Sequence, residues 1–106
     1  MAEKTIDWEG ASGKKYKYWI YDIGTTFNKS PANYVFAKAT KPDALRAIYV
    51  GETGDISERF DDHHKMTCIR DNGATHICVH KSSDDKKVRC EEESDLIANY
   101  HPVCND

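Results

Sequence analysis

Ala47-Ile48-Tyr49-Val50-Gly51-Glu52-Thr53-Gly54-Asp55-Ile56-Ser57-Glu58-Arg59-Phe60 is the stretch whose reading decides the fold. Ala47 to Val50 is a short apolar, β-branched and aromatic run, which predicts a strand that Gly51 ends. The polar residues after it lead to Asp55, a good N-cap, with Glu58 three positions on as in a capping box. This predicts a helix from Ile56 to about Lys65. Ile56 and Phe60 form its apolar stripe, and Arg59 and His63, also four apart, form a neighbouring ridge.

Upstream, Tyr16 to Ile23 is aromatic and β-branched and predicts a strand. Asn28 to Ala32 is a turn cluster. Tyr34 to Ala39 predicts a second strand, with Tyr34, Phe36 and Lys38 on one face and Val35 and Ala37 on the other. The run from Thr40 to Arg46, broken at Lys41-Pro42-Asp43, reads as a loop or one helical turn. Tyr34 and Tyr49 then lie on adjacent strands of a hairpin. Residues 1–14 are polar and read as a flexible leader from which Trp8 docks on the core. Downstream, Asp71-Asn72-Gly73 is a turn and Thr75 to His80 a further strand. Lys86 to Tyr100 is a last helix, opened by Ser82-Ser83-Asp84-Asp85 and stopped by Pro102. On that helix Arg89, Glu93 and Ile97 are spaced by four, with Leu96 and Tyr100 beside them. Glu93 therefore falls on or beside the buried face, while Glu91, Glu92 and Asp95 fan towards solvent. The expected fold class is a small α/β (α+β) domain over residues 15–106, with a three-stranded, mainly antiparallel sheet flanked by helices.

The chain has 106 residues, enough for one modest core. It is 39% hydrophobic and 31% charged, with two Trp, six Tyr and three Phe, which is the composition of a folded domain. No apolar run is long enough to span a bilayer, and the N-terminus has no apolar signal-peptide core. A cytoplasmic location and no membrane partner are expected. Cys68, Cys78, Cys90 and Cys104 form no Cys-x-x-Cys pair. They read as reduced thiols. Cys68, His76, Cys78 and His80 are a weaker zinc-ligand alternative. The net charge of −3, from 15 Lys and Arg against 18 Asp and Glu, argues against broad non-specific binding to nucleic acid. It leaves room for a local basic strip. Lys14, Lys15 and Lys17 lie beside the first strand, and Lys38, Arg59, Lys65 and Arg89 lie near the chemistry-bearing residues.

Taken singly, Tyr34 and Tyr49 are packing residues, Arg59 and His63 a solvated helix face, Glu93 a snorkelling acid and Asn105 a C-terminal cap. Their order is more specific. Ala32-Asn33-Tyr34 and Tyr49-Val50-Gly51 resemble the paired motifs of the GIY-YIG nuclease family. The run from Tyr49 through Arg59 to Phe60 resembles that family's second motif and its arginine. Arg89 to Ile97 resembles its late helix with a glutamate, and Tyr100-His101-Pro102-Val103-Cys104-Asn105 its Tyr-x-Pro ending with a terminal Asn. Arg59-x3-His63 and Glu93-x11-Asn105 are similar to the spacings of restriction enzymes within the family. The likeness covers residues 16–105. It departs from the pattern at Ala32, at Asn33, in the long interval between the two tyrosine motifs, and at Glu52, where many members have lysine.

The resemblance implies a GIY-YIG-like fold and a metal-dependent endonuclease that hydrolyses phosphodiester bonds in DNA. It implies Tyr34 as general base and Glu93 as ligand of Mg²⁺ or Mn²⁺. Hydrolysis requires a deprotonated water, stabilised phosphoryl oxygens and a stabilised leaving group. Arg59, with a planar fork and permanent charge, suits the scissile phosphate. His63 assists proton transfer or contacts phosphate, Tyr49 positions water or substrate, and Asn105 orients a neighbour or touches the nucleic-acid backbone. Lys38, Gly51 and Lys65 are the expected substrate-binding residues. A free phenol has a pKa of about 10, so Tyr34 needs positive charge nearby to act as a base. The expected partners are DNA, with branched and single-stranded forms and RNA left open, and a specificity-conferring protein or a second copy. One site nicks one strand at a time. The alternative is a catalytically weak or inactive nucleic-acid or protein interaction module on the same fold.

Overall fold

The computed structural model describes residues 4–41, 44–58 and 65–105. Its centre is the hairpin of β3 (Ala32–Lys41) and β4 (Ala44–Thr53), in which Tyr34 lies opposite Gly51 and Phe36 opposite Tyr49. Both strands run longer than the sequence suggests, and together they take up most of the interval read as a loop. Around them lie β1 (Thr5–Glu9), β2 (Lys15–Asp22), α1 (Met66–Asp71), β5 (His76–Lys81), α2 (Lys86–Tyr100) and a 3₁₀ turn (Val103–Asn105). The five strands form one sheet in the order β1-β2-β5-β3-β4, and every pairing is antiparallel. The fold is α+β, with five strands where three were expected.

The extra pairing comes from the leader. Thr5–Glu9 is edge strand β1, paired to β2 from Thr5 opposite Trp19 to Glu9 opposite Lys15. Thr5, Asp7 and Glu9 are exposed, while Trp8 is buried and Ile6 half-buried. This is the period of two of a half-covered strand. The turn after it is fastened to α2, since the Asp95 carboxylate accepts from the Ser12 amide and hydroxyl and from the Tyr16 hydroxyl. Asp95 is thus a tether, not a solvated acid.

Two apolar layers sandwich the sheet. Trp8, Tyr18, Val35, Val50, Cys78 and Leu96 pack beneath α2. Tyr34, Phe36, Ile48, Ile56, Met66 and Ile69 form the layer on the other face. β3 is covered on both sides, so Ala32 to Ala37 are all buried.

The first residues of the helix expected from Ile56 are not helical. Ile56 and Ser57 lie in a turn, where Asp55 Oδ1 accepts from the amide and hydroxyl of Ser57. Residues 59–64, which include Arg59, Phe60 and His63, lie outside the described residues. α1 begins at Met66. The last helix runs from Lys86 to Tyr100 as expected. Asp85 caps it by accepting the Lys87 amide, and His101 ends it in the left-handed region at φ 45°.

The buried face of α2 is partly ionic. Glu92 is buried rather than solvated: its Oε2 accepts from Tyr18 Oη at 2.6 Å and lies 2.9 Å from His80 Nδ1. Arg89 is buried as well. Its Nε donates to Glu52 Oε1 at 3.0 Å, and one terminal nitrogen donates to the carbonyls of Ser83 and Asp84. Asn33, fully buried on β3, donates from Nδ2 to the Arg89 carbonyl.

The cysteines were expected to be reduced, but Cys68 of α1 and Cys104 of the 3₁₀ turn form a disulfide. Cys78 and Cys90 are free. The zinc set therefore does not assemble. The Cys68 sulfur is bonded to Cys104, and His80 is engaged by Glu92. Burial pushes the Cys78 thiol up to about 12. No described helix is long and apolar enough to cross a membrane.

Candidate active site

Tyr34 projects from β3 across the backbone of β4. A Cβ added at Gly51 would lie 2.4 Å from Tyr34 Cζ and 2.5 Å from its hydroxyl oxygen, too close to be tolerated without movement. Gly51 is therefore the opening through which the phenol crosses the strand, a steric role rather than contact with substrate. A Gly51→Ala variant should lose about 1–3 kcal/mol, the usual cost of overpacking a filled core. Urea unfolding checks this, and an unchanged midpoint would mean that the Tyr34 ring swings away without loss.

Tyr49 lies beside Tyr34 with ring centroids 6.2 Å apart. Tyr34 and Tyr49 are only 4% and 9% exposed. Glu93 and Glu52 complete the group. Glu93 reaches it from α2, half-buried, and Glu52 from the strand end just past Gly51. Burial pushes the Tyr34 phenol up, and Tyr49, Glu93 and Glu52 push it further. Tyr49 is raised by burial and by the same two carboxylates. Glu93 is raised by burial and then by Glu52, with Lys86 opposing. Among the described residues the neighbouring carboxylates disfavour the phenolates, while Arg59, the expected source of positive charge, lies outside them.

Asn105 makes two hydrogen bonds to one residue of β4. Its Oδ1 accepts the Val50 amide at 2.8 Å and its Nδ2 donates to the Val50 carbonyl at 2.9 Å. β4 is an edge strand, and Asn105 pairs with it as a neighbouring strand would, between Tyr49 and Gly51. Its amide is thereby occupied by main chain, so Asn105 is a positioning residue and not a group aimed at nucleic acid. The disulfide of Cys104 holds the turn that presents it. Asn105→Ala should cost about 1–2 kcal/mol through two unmet backbone groups at Val50. It should also raise hydrogen exchange at the Val50 amide, which NMR reads.

The expected basic strip is weaker than the sequence suggests. Lys38 lies four residues beyond Tyr34 on β3 and leans on the Gly73 turn. Arg89 is neutralised by Glu52. Lys65 immediately precedes α1. Tyr34 and Tyr49 lie side by side, and the Glu93 carboxylate is near enough to act on both phenols, while Arg59 and His63 lie outside the described residues.

Glu52 is the member that sequence reasoning left out. The signal was present, because a carboxylate directly after Gly51 must share the end of β4 with Tyr49.

No group of three or more His, Cys, Asp or Glu side chains is arranged around a metal among the described residues. A structural cation cage is not what the reaction asks for. Mg²⁺ takes one or two protein carboxylates and completes its shell with water and phosphate. Glu93 fits that requirement: its ionised form is disfavoured by burial and by Glu52, so a cation there relieves an existing repulsion. Glu52 has one oxygen committed to Arg89, which leaves Glu93 as the better ligand.

No family model, no curated protein and no solved structure matches this chain.

Proposed function

We propose that this chain is a divalent-metal-dependent endonuclease of the GIY-YIG kind, hydrolysing phosphodiester bonds in DNA. The observation that supports it is the pairing of Tyr34 and Tyr49 across one hairpin, with the Tyr34 hydroxyl against Gly51 and the Glu93 carboxylate of α2 near enough to act on both phenols. A half-buried carboxylate whose ionised form is disfavoured by burial and by a second carboxylate is a place that positive charge would stabilise. Glu93 is the ligand for Mg²⁺ or Mn²⁺. When bound, the ion supplies positive charge for the phosphoryl oxygens and the leaving oxygen. Tyr34 is the general base. Burial and the neighbouring groups disfavour its phenolate, and positive charge at Glu93 would offset the part that Glu93 contributes. Tyr49, packed beside it, positions the water. Arg59, by its chemistry and its place after the second motif, is assigned to the scissile phosphate, and His63 to the proton transfer.

The test is a cleavage assay with Mg²⁺ or Mn²⁺ on plasmid, branched DNA, single-stranded DNA and RNA. The expected products carry 5′-phosphate and 3′-hydroxyl ends. Absence of metal-dependent products from every form would overturn the reading.

One observation favours a second reading, a binding module that does not cut. Glu52 stands where many members of the family have lysine, and it adds to the field that holds the Tyr34 proton. That reading expects binding without turnover.

A further inference from the structure

On the face that carries Tyr34, the half of the sheet formed by β2 and β5 holds a slot of about 710 Å³. Trp19, Tyr21 and Phe27 wall it, and Val79 lies at its floor. Phe27 stands edge-on to Tyr21 at 5.0 Å, closing one side. Lys17 and Lys81 stand at the mouth, both exposed. In the antiparallel β2–β5 pairing Trp19 lies opposite Val79. Lys17 is two residues before the first and Lys81 two residues after the second, which places both lysines on one face, with Asp7 of β1 opposite Lys17 on the far side. Two cations against one acid leave the rim net positive, suited to an anion between the lysines. Lys17 Nζ also lies 5.5 Å from the centre of the Trp19 ring. A flat aromatic slot with paired cations at its rim has the chemistry of a base stacked on indole with its phosphate on the lysines.

The register links this slot to the candidate active site. One cross-strand row runs Trp19, Val79, Tyr34, Gly51, and the next runs Tyr21, Ile77, Phe36, Tyr49. Trp19 is two strand spacings from Tyr34, about 10 Å. That is roughly three stacked nucleotides at about 3.4 Å each.

We infer that Trp19, Tyr21 and Phe27 with Lys17 and Lys81 form a subsite for an unpaired DNA base a few nucleotides from the scissile phosphate, so that the preferred substrate has single-stranded character beside the cut. An intact duplex cannot enter, because its bases are stacked and paired and offer no free face to Trp19. This deepens the nuclease reading and rests on it for the position of the cut, but binding at the slot needs neither metal nor turnover.

The experiment is fluorescence anisotropy in EDTA, with a short fluorescein-labelled oligothymidylate and a blunt duplex of equal length. Single strand should bind at least tenfold more tightly than duplex. Trp19→Ala should weaken single-strand binding about tenfold, the loss expected for one stacked base. Trp19→Phe should restore most of it, and Lys17→Ala/Lys81→Ala should flatten its salt dependence. Circular dichroism checks that each variant is folded. Equal binding of duplex and single strand, or undiminished binding by folded Trp19→Ala, would overturn the subsite while leaving the cleavage result standing. Loss of cleavage with single-strand binding intact would count against the nuclease reading alone.

Discussion

Glu93→Gln is expected to lower metal-dependent cleavage by at least a hundredfold, roughly 2.7 kcal/mol of transition-state stabilisation, without destabilising the fold. The two halves of this result have one cause. Burial and Glu52 raise the Glu93 pKa, so the folded chain holds this proton to a higher pH than the unfolded chain does. Ionisation of Glu93 therefore works against folding. Its cost is absent below the ordinary carboxylate pKa of 4.5, grows as pH rises towards the raised folded value, and persists above it. Gln carries no such cost. Thermal melts of parent and variant should converge in acid, and the variant should melt no lower at neutral pH. Protons and metal compete for the same carboxylate, so the metal concentration giving half-maximal cleavage in the parent should fall as pH rises through the Glu93 titration. Cleavage by the variant at the parental rate, with metal still required, would remove Glu93 from the ligand role.

The parts of this fold legible in the sequence are those where one period governs a whole segment. Tyr34 to Ala39 and Ala47 to Val50 are apolar enough to be strands in any context, and they are neighbours in the sheet. Lys86 to Tyr100 had an N-cap in Asp85 and a stop in Pro102, and both ends fell where those residues put them. What failed were segments whose polar residues have tertiary partners. Ile6 and Trp8 carry the alternation of a strand, but Thr5, Asp7 and Glu9 between them gave the segment the look of a loose leader. Asp55 and Ser57 satisfy each other locally, which supports a turn as well as a helix start. Glu92 reads as a surface acid until Tyr18 and His80, distant in sequence, arrive to bond it. The same holds for the site. Tyr34, Tyr49 and Glu93 were singled out by their order along the chain, which needs no tertiary partner to be seen. The backbone pairing of Asn105 depends on β4 being an edge strand, which no local pattern reveals.

Arg89→Ala is expected to cost about 3–5 kcal/mol, a large share of the roughly 5–15 kcal/mol available to a domain of this kind. The guanidinium satisfies three acceptors: Glu52 Oε1 through Nε, and the carbonyls of Ser83 and Asp84 through one terminal nitrogen. The two side chains are only 7% and 17% exposed, so water does not replace the lost donors freely. Alanine strands the Glu52 carboxylate beside Glu93 with its counter-charge gone, and it unties the loop that leads into α2. Lysine is not an adequate substitute, since a single ammonium cannot reproduce the planar fork. The size of the loss can be assigned by a double-mutant cycle in urea. If the stranded charge dominates, Glu52→Gln in the Arg89→Ala background should recover more than 1 kcal/mol relative to its effect in the parent. If the two carbonyls dominate, no recovery follows.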